Sequence, residues 1–237
     1  MYNNLDAIFT AYGEPNRVNA LSATAANPLL ITDVDAADRT AQITGALTPT
    51  YGPVIAAEFG AAFGKCRQTT SADLVVLPAS SVIGTNNANA TAAMVAAGAN
   101  KNGVSYPMAN RWVLTANEKA NVAAATSAYN AAITSIANAK NTAAGYTVIA
   151  VADMNAVMNQ LITGIRTESG SFYTANYFSG SATEGGVLFS LDGVHPNARG
   201  YAIIANEIIK VINREFKANL PIHNSAYFPG INIVPTN

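Results

Sequence analysis

The sequence predicts a layered α/β fold. Three features of its C-terminal half carry that expectation: a helix opened by a capping box at Thr115-Ala116-Asn117-Glu118, an apolar run over residues 146–151, and a strongly periodic helix over about 197–216. Helix, strand and helix in that order is the pattern of a sheet covered by helices. A run with little polar alternation suits a strand buried on both faces. The N-terminal half alone does not decide the class.

Residues 4–13 read as a short amphipathic helix, with Leu5, Ile8, Phe9 and Tyr12 at helical spacing and Gly13 as the stop. Pro28-Leu29-Leu30-Ile31 is expected as a short strand, and residues 33–46 carry a weak helical pattern. Ile55, Phe59 and Phe63 recur every four residues, which predicts a helix over about 53–64 with Pro53 in its first turn. Asp73-Leu74-Val75-Val76-Leu77-Pro78 reads as a buried strand ended by proline. Residues 84–103 are rich in Asn, Ala and Gly and are expected to hold a small Ala-rich helix between loops.

In the capping box, the Thr115 hydroxyl can accept from a free first-turn N–H while the Glu118 carboxylate reaches back to the cap N–H. Val122, Tyr129, Ile133 and Ile136 then mark a stripe expected to be buried, and the helix should end near Lys140. Asp153 follows the 146–151 run and leads into a helix carrying Val157, Met158, Leu161 and Ile162. The Gly/Ser/Thr-rich residues 168–186 read as a loop with room for a hairpin. Its aromatics Tyr173, Tyr177 and Phe178 suit either a pocket mouth or a core. Val187-Leu188-Phe189-Ser190 is a short apolar segment. The last helix presents Ile204, Ile208, Val211 and Ile212 on one face, and the tail from Pro221 is expected to be irregular.

Composition excludes several functions. The 237 residues are 50% hydrophobic and 11% charged, with a net charge of −1. That content is too apolar for a disordered chain. Without a Lys/Arg cluster, a nucleic-acid binder or a polybasic membrane-surface protein is not expected. No apolar run approaches the roughly 20 residues of a membrane helix, and no signal peptide is read at the N-terminus. Cys66 is the single cysteine; in its Lys-Cys-Arg context it is either mildly activated or an incidental small residue.

One constellation carries chemistry: Leu191-Asp192-Gly193-Val194-His195-Pro196-Asn197. Gly193 permits a tight bend, Pro196 pushes His195 toward an extended conformation, and Asn197 is a good N-cap for the helix that follows. A histidine on a stiff loop with an acid three residues before it is the base and orienter of a Ser-His-Asp triad. The alternative is a locally satisfied loop histidine beside a turn aspartate. A metal site is not expected, because the only other histidine is His223 in the tail.

The longer string Phe189 to Tyr201, running into Ala202-Ile203-Ile204-Ala205-Asn206, resembles the last block of the SGNH hydrolases, also called GDSL lipases/acylhydrolases. That block is D-x-x-H-P, then small residues, a Gly and an aromatic opening the terminal helix. Residues 73–84, 119–133 and 151–160 are similar in character to stretches of the secreted Bacteroidetes members. The resemblance implies a three-layer α/β/α sandwich with a flavodoxin-like, mostly parallel sheet. It also implies a serine ester hydrolase with His195 as base and Asp192 as orienting acid, no cofactor, and a small-molecule, lipid or carbohydrate ester as substrate. Location by resemblance is secreted or at the cell envelope. The chain then reads as one such domain over 1–237, with about 33–109 a variable insertion and about 110–216 the core.

The family's Gly-Asp-Ser nucleophile block does not occur in these residues. Ile83-Gly84-Thr85-Asn86-Asn87 resembles its G-x-N-D block with Asn in place of Asp. Asn86 then reads as an oxyanion donor or as part of an Asn-rich loop. Ser80 and Ser81 lack a Gly-x-Ser-x-Gly elbow and read as hydroxyls closing a loop. The expectation is a C-terminal portion of the hydrolase, incomplete at its N-terminus, inactive and poorly stable alone. A non-catalytic extracellular binding protein on the same scaffold is the competing reading.

Overall fold

The computed structural model describes residues 1–167, 170–174, 188–190, 192 and 194–230. Two compact units divide after Ala125, inside one long helix. The class is α/β. The sheets among the described residues are three antiparallel pairs of very short strands, and a parallel multi-stranded layer is not among them.

In the first unit, α1 (Tyr2–Ala11) buries Tyr2, Leu5 and Phe9 at the predicted spacing, while Tyr12 is exposed. Strand β1 (Leu30–Thr32) pairs antiparallel with β2 (Cys66–Gln68). On its other side Met108 joins it in parallel, with Met108 N–H donating to Leu30 and Thr32 N–H donating to Met108, both at 2.9 Å. Helix α2 (Thr40–Phe63) starts later than the weak pattern from residue 33. It breaks at Gly52, whose φ of 75° and ψ of 163° suit glycine, and Pro53 restarts it as the predicted second helix. Phe59 and Phe63 are buried and stacked at 5.9 Å.

Residues 73–78 correct an expectation. Strand β3 (Leu74–Val75) pairs with β4 (Val113–Leu114), yet Leu74 is 52% exposed and Val75 41%. The buried side chain is Asp73. Arg67 forks onto it, with Nη1–Oδ2 and Nη2–Oδ1 both 2.7 Å, and Thr70 N–H donates to Oδ2 at 2.7 Å. Ala116 N–H reaches Oδ1 at 3.3 Å, and Arg67 Nε holds Asp33 at 2.5 Å. A carboxylate at the strand's start thus sets which residues turn inward. Pro78 lies in the first turn of a short 3-10 helix, Leu77–Ser81, and the small Ala-rich helix α3 (Ala92–Ala96) stands where expected.

The capping box opens α4 (Ala116–Ala144) as predicted: Thr115 N–H donates to Glu118 at 2.8 Å and Glu118 N–H to the Thr115 hydroxyl at 3.3 Å. The helix runs past Lys140 and stops before Gly145, which has a φ of 75°. Its expected buried stripe is exposed: Val122, Tyr129, Ile133 and Ile136 all face solvent, and only Ala137 is buried. Apolar spacing sets a face, but burial needs a neighbour to cover it.

In the second unit, residues 146–151 do not form the expected strand. Asn141 stands in for a partner strand: its Oδ1 accepts from Val148 N–H at 2.8 Å and Ile149 N–H at 2.9 Å, and its Nδ2 donates to the Ile149 carbonyl at 2.9 Å. Asp153 caps α5 (Met154–Thr163) by accepting from Ala156 N–H at 2.9 Å. Leu161 is buried, and Ile162 is exposed. A hairpin follows, β5 (Ile165–Arg166) with β6 (Phe172–Tyr173), and Tyr173 belongs to the core. The expectations for Tyr177, Phe178 and Val187 lie outside the described residues. Helix α6 (Ala198–Phe216) starts after Asn197 as predicted, but its buried residues are Gly200, Ala202, Ile203 and Asn206. Ile208 on the expected face is 40% exposed. Ile203 instead meets the cluster of Leu161, Ile165, Tyr173 and Leu188. Among the described residues no helix is long and apolar enough to cross a membrane.

The Asp73 carboxyl is held well below the usual carboxylate range, chiefly by the Arg67 hydrogen bonds. Its contribution to stability is therefore present above the unfolded value of about 4 and is lost as pH falls through the folded one. Asp73→Asn is expected to cost about 2–4 kcal/mol at neutral pH, at the lower end because Asp33 still faces Arg67. In urea melts at pH 7 and pH 2.5, the variant should lose less stability between the two than the parent.

Candidate active site

Residues 188–190 and 195–197 run back along one another. Phe189 and Pro196 form an antiparallel bridge, Ser190 N–H donates to the His195 carbonyl at 2.7 Å, and Asn197 N–H donates to the Leu188 carbonyl at 2.9 Å. Leu188 anchors one arm in the core of the second unit. The other arm enters α6, where the Asn197 side chain accepts from Gly200 N–H at 3.0 Å. A Cβ at Gly200 would collide with the Leu188 carbonyl and come within 3.0 Å of Pro196 Cβ. The glycine five residues after the histidine therefore has a structural cause: the helix's first turn lies directly on the arm that carries the site.

The structure brings the two predicted residues together. His195 Nδ1 lies 2.5 Å from Asp192 Oδ2. Asp192 Oδ1 accepts from the Ser190 hydroxyl at 2.5 Å and from the N–H groups of Val194 and His195 at 2.9 Å each. These donors, Ser190 first and the His195 ring next, hold the Asp192 carboxyl well below the usual range. An ionised carboxylate can only accept, so Nδ1 carries the shared proton. In the neutral form of the ring the lone pair is then at Nε2, and among the described residues nothing bonds to that atom. The pair is open to water, with the His195 side chain 72% exposed and that of Asp192 49%. Such a pair can take a proton at Nε2 while the carboxylate fixes the ring and stabilises the imidazolium.

No family model, curated protein or solved structure matches the chain.

The other candidates are occupied locally. The Ser80 and Ser81 hydroxyls donate to the Leu77 and Pro78 carbonyls at 3.0 and 2.8 Å, closing the 3-10 turn. Asn86 bridges Lys101 and accepts from Asn100 Nδ2 at 3.1 Å, in a loop knit by asparagines. Cys66 is fully buried, and burial pushes its thiol up to about 12, so the Lys-Cys-Arg context does not activate it. The Asn206 side chain holds His223 through that residue's backbone, accepting from its N–H at 2.8 Å and donating to its carbonyl at 2.7 Å. Among the described residues no group of three or more His, Cys, Asp or Glu is placed to hold a metal ion. Sequence reasoning did not single out Ser190. The signal for it is the Ser-x-Asp spacing, which lets a hydroxyl reach the side chain two residues on.

Gly200→Ala is expected to cost about 1–3 kcal/mol, because both atoms it meets are held in place. Gly45→Ala is the control: it lies in α2 with nothing within 4 Å of the new Cβ, and should be neutral or stabilising by up to about 1 kcal/mol. Thermal melts of the two variants check the pair.

Proposed function

We propose that residues 188–197 carry the acid–base half of a serine ester hydrolase of the SGNH/GDSL type. The observation that carries this reading is the 2.5 Å contact between His195 Nδ1 and an ionised Asp192, with Nε2 left to face a nucleophile. The resemblance of the Asp192-to-Tyr201 string supports it, and Gly200 gives one of the string's residues a physical reason.

In this mechanism a serine hydroxyl attacks the acyl carbonyl of an ester and His195 Nε2 takes its proton. Asp192 stabilises the resulting imidazolium. His195 then returns the proton to the leaving alkoxide as the tetrahedral intermediate collapses to an acyl-enzyme. Water, deprotonated by the same nitrogen, releases the acid and regenerates the serine. No cofactor is required. The substrate is a small-molecule, lipid or carbohydrate ester, and the place of action is extracellular or at the cell envelope.

In this reading the nucleophile belongs to a Gly-Asp-Ser segment outside these 237 residues, within a three-layer α/β/α sandwich. Two observations support that part. The two serines weighed as a replacement nucleophile, Ser80 and Ser81, are tied to turn carbonyls. Among the described residues the β-prone run 146–151 pairs with no strand, and it lies beside exposed Ile133 and Ile136 of α4, an uncovered surface of the kind a missing sheet would leave.

Two forms of the chain test the reading: the 237 residues alone, and the same residues joined to a segment carrying the Gly-Asp-Ser block. Both are assayed on a short p-nitrophenyl ester and with a fluorophosphonate probe. The joined form should hydrolyse the ester and label. His195→Ala should lower its kcat by about 10³-fold or more, and Asp192→Asn by a comparable factor. Labelling of the 237 residues alone would assign the nucleophile to a serine already present and overturn the proposal.

A further inference from the structure

We propose that Ser190 is a positioning residue for the Asp192–His195 pair, holding the acid through its hydroxyl and the base through its backbone. The inference rests on the reading of that pair as the acid–base half of a triad.

The hydroxyl donates to Asp192 Oδ1 at 2.5 Å, and the N–H of the same residue donates to the His195 carbonyl at 2.7 Å. The other two donors to Oδ1 are the N–H groups of Val194 and His195, which lie on the same side of the loop as the base. Ser190 is different. It sits two residues after Leu188, which is buried in the core, and beside the Phe189–Pro196 bridge. Its hydroxyl is thus the side-chain tie between the aspartate and the arm that Leu188 anchors in the core. With Oδ1 saturated by three donors, Oδ2 is left to His195 Nδ1, and the ring takes one orientation. A positioned base is worth far more than a nearby one, since small displacements of reacting groups cost orders of magnitude in rate.

The same geometry argues against Ser190 as nucleophile. Its proton points at the carboxylate, whereas a triad serine gives its proton to the imidazole nitrogen remote from the acid. Among the described residues, the only titratable side chain in contact with Asp192 is His195.

The test uses the 237-residue chain labelled with ¹³C and ¹⁵N, as the parent, Ser190→Ala and Ser190→Thr. Two signals are followed by NMR: the carboxyl carbon of Asp192 through an acid titration, and the low-field proton on His195 Nδ1. In the parent, Asp192 should titrate well below the ordinary carboxylate range. In Ser190→Ala its midpoint should rise toward that range and the Nδ1 proton signal should weaken, with the melting temperature unchanged. Ser190→Thr keeps the hydroxyl and should restore both signals. Parent-like signals in Ser190→Ala would overturn the proposal. So would a folded Ser190→Thr with a raised Asp192 midpoint, a comparison that still decides the matter if the alanine variant does not fold. In the joined, Gly-Asp-Ser-bearing form, Ser190→Ala should lower kcat about ten- to a hundredfold at unchanged KM. Loss of the hydrolase reading would show as an inactive joined form with the NMR pattern intact. Loss of the Ser190 role would show in the NMR pattern whatever the esterase result.

Discussion

Backbone N–H and C=O groups withdrawn from water must find partners, and this chain has no large sheet among its described residues to supply them. Helices and turns supply most of them, and side-chain amides and carboxylates supply others. Asn141 binds the backbone of Val148 and Ile149, Asn206 that of His223, and Asn213 that of Leu220, accepting from an N–H and donating to a C=O each time. Gln68 treats Asn19 in the same way. Asp73 and Asp192 gather N–H groups with their carboxylates. In this way residues 148–149 are tied to α4, residues 220 and 223 to α6, and Asn19 to β2.

The candidate site is one instance of this rule. Asp192 collects the N–H groups of its own loop, and in doing so is fixed for His195. Around it, Leu188 supplies the anchorage, Asn197 caps the helix, and Gly200 admits the helix's first turn against the Leu188 carbonyl. The chemistry of the loop is therefore inseparable from the packing of α6. Any change that lifts the helix from residue 188 also unsettles the imidazole.

How much of this could be read from sequence follows from the range of each interaction. Thr115 with Glu118, Asp153 with Ala156, Asn197 with Gly200 and Asp192 with His195 each span three residues, so local spacing announces them. The helices were legible for the same reason, down to Pro53 restarting α2. Burial was not. Val122, Tyr129, Ile133 and Ile136 have the spacing of a core stripe, yet a stripe is buried only by what lies opposite, which no local pattern contains. Residues 146–151 have strand composition, but a strand needs a second strand, and among the described residues it is the Asn141 side chain that answers the backbone. Likewise the buried member of residues 73–78 is the charged one, because Arg67 meets it from a different strand.

A fold held at so many points by carboxamides carries a chemical clock. Asparagine amides are among the groups heat destroys first, by hydrolysis to the acid. At Asn141, Asn206 and Asn213 that event exchanges an N–H donor for a carboxylate oxygen facing a carbonyl, turning an attraction into a repulsion between two acceptors. The accepting half of each clamp survives, so the segment is loosened before it is lost. Loss of any one of these amides would be irreversible, and it would weaken one clamp without first unfolding the chain.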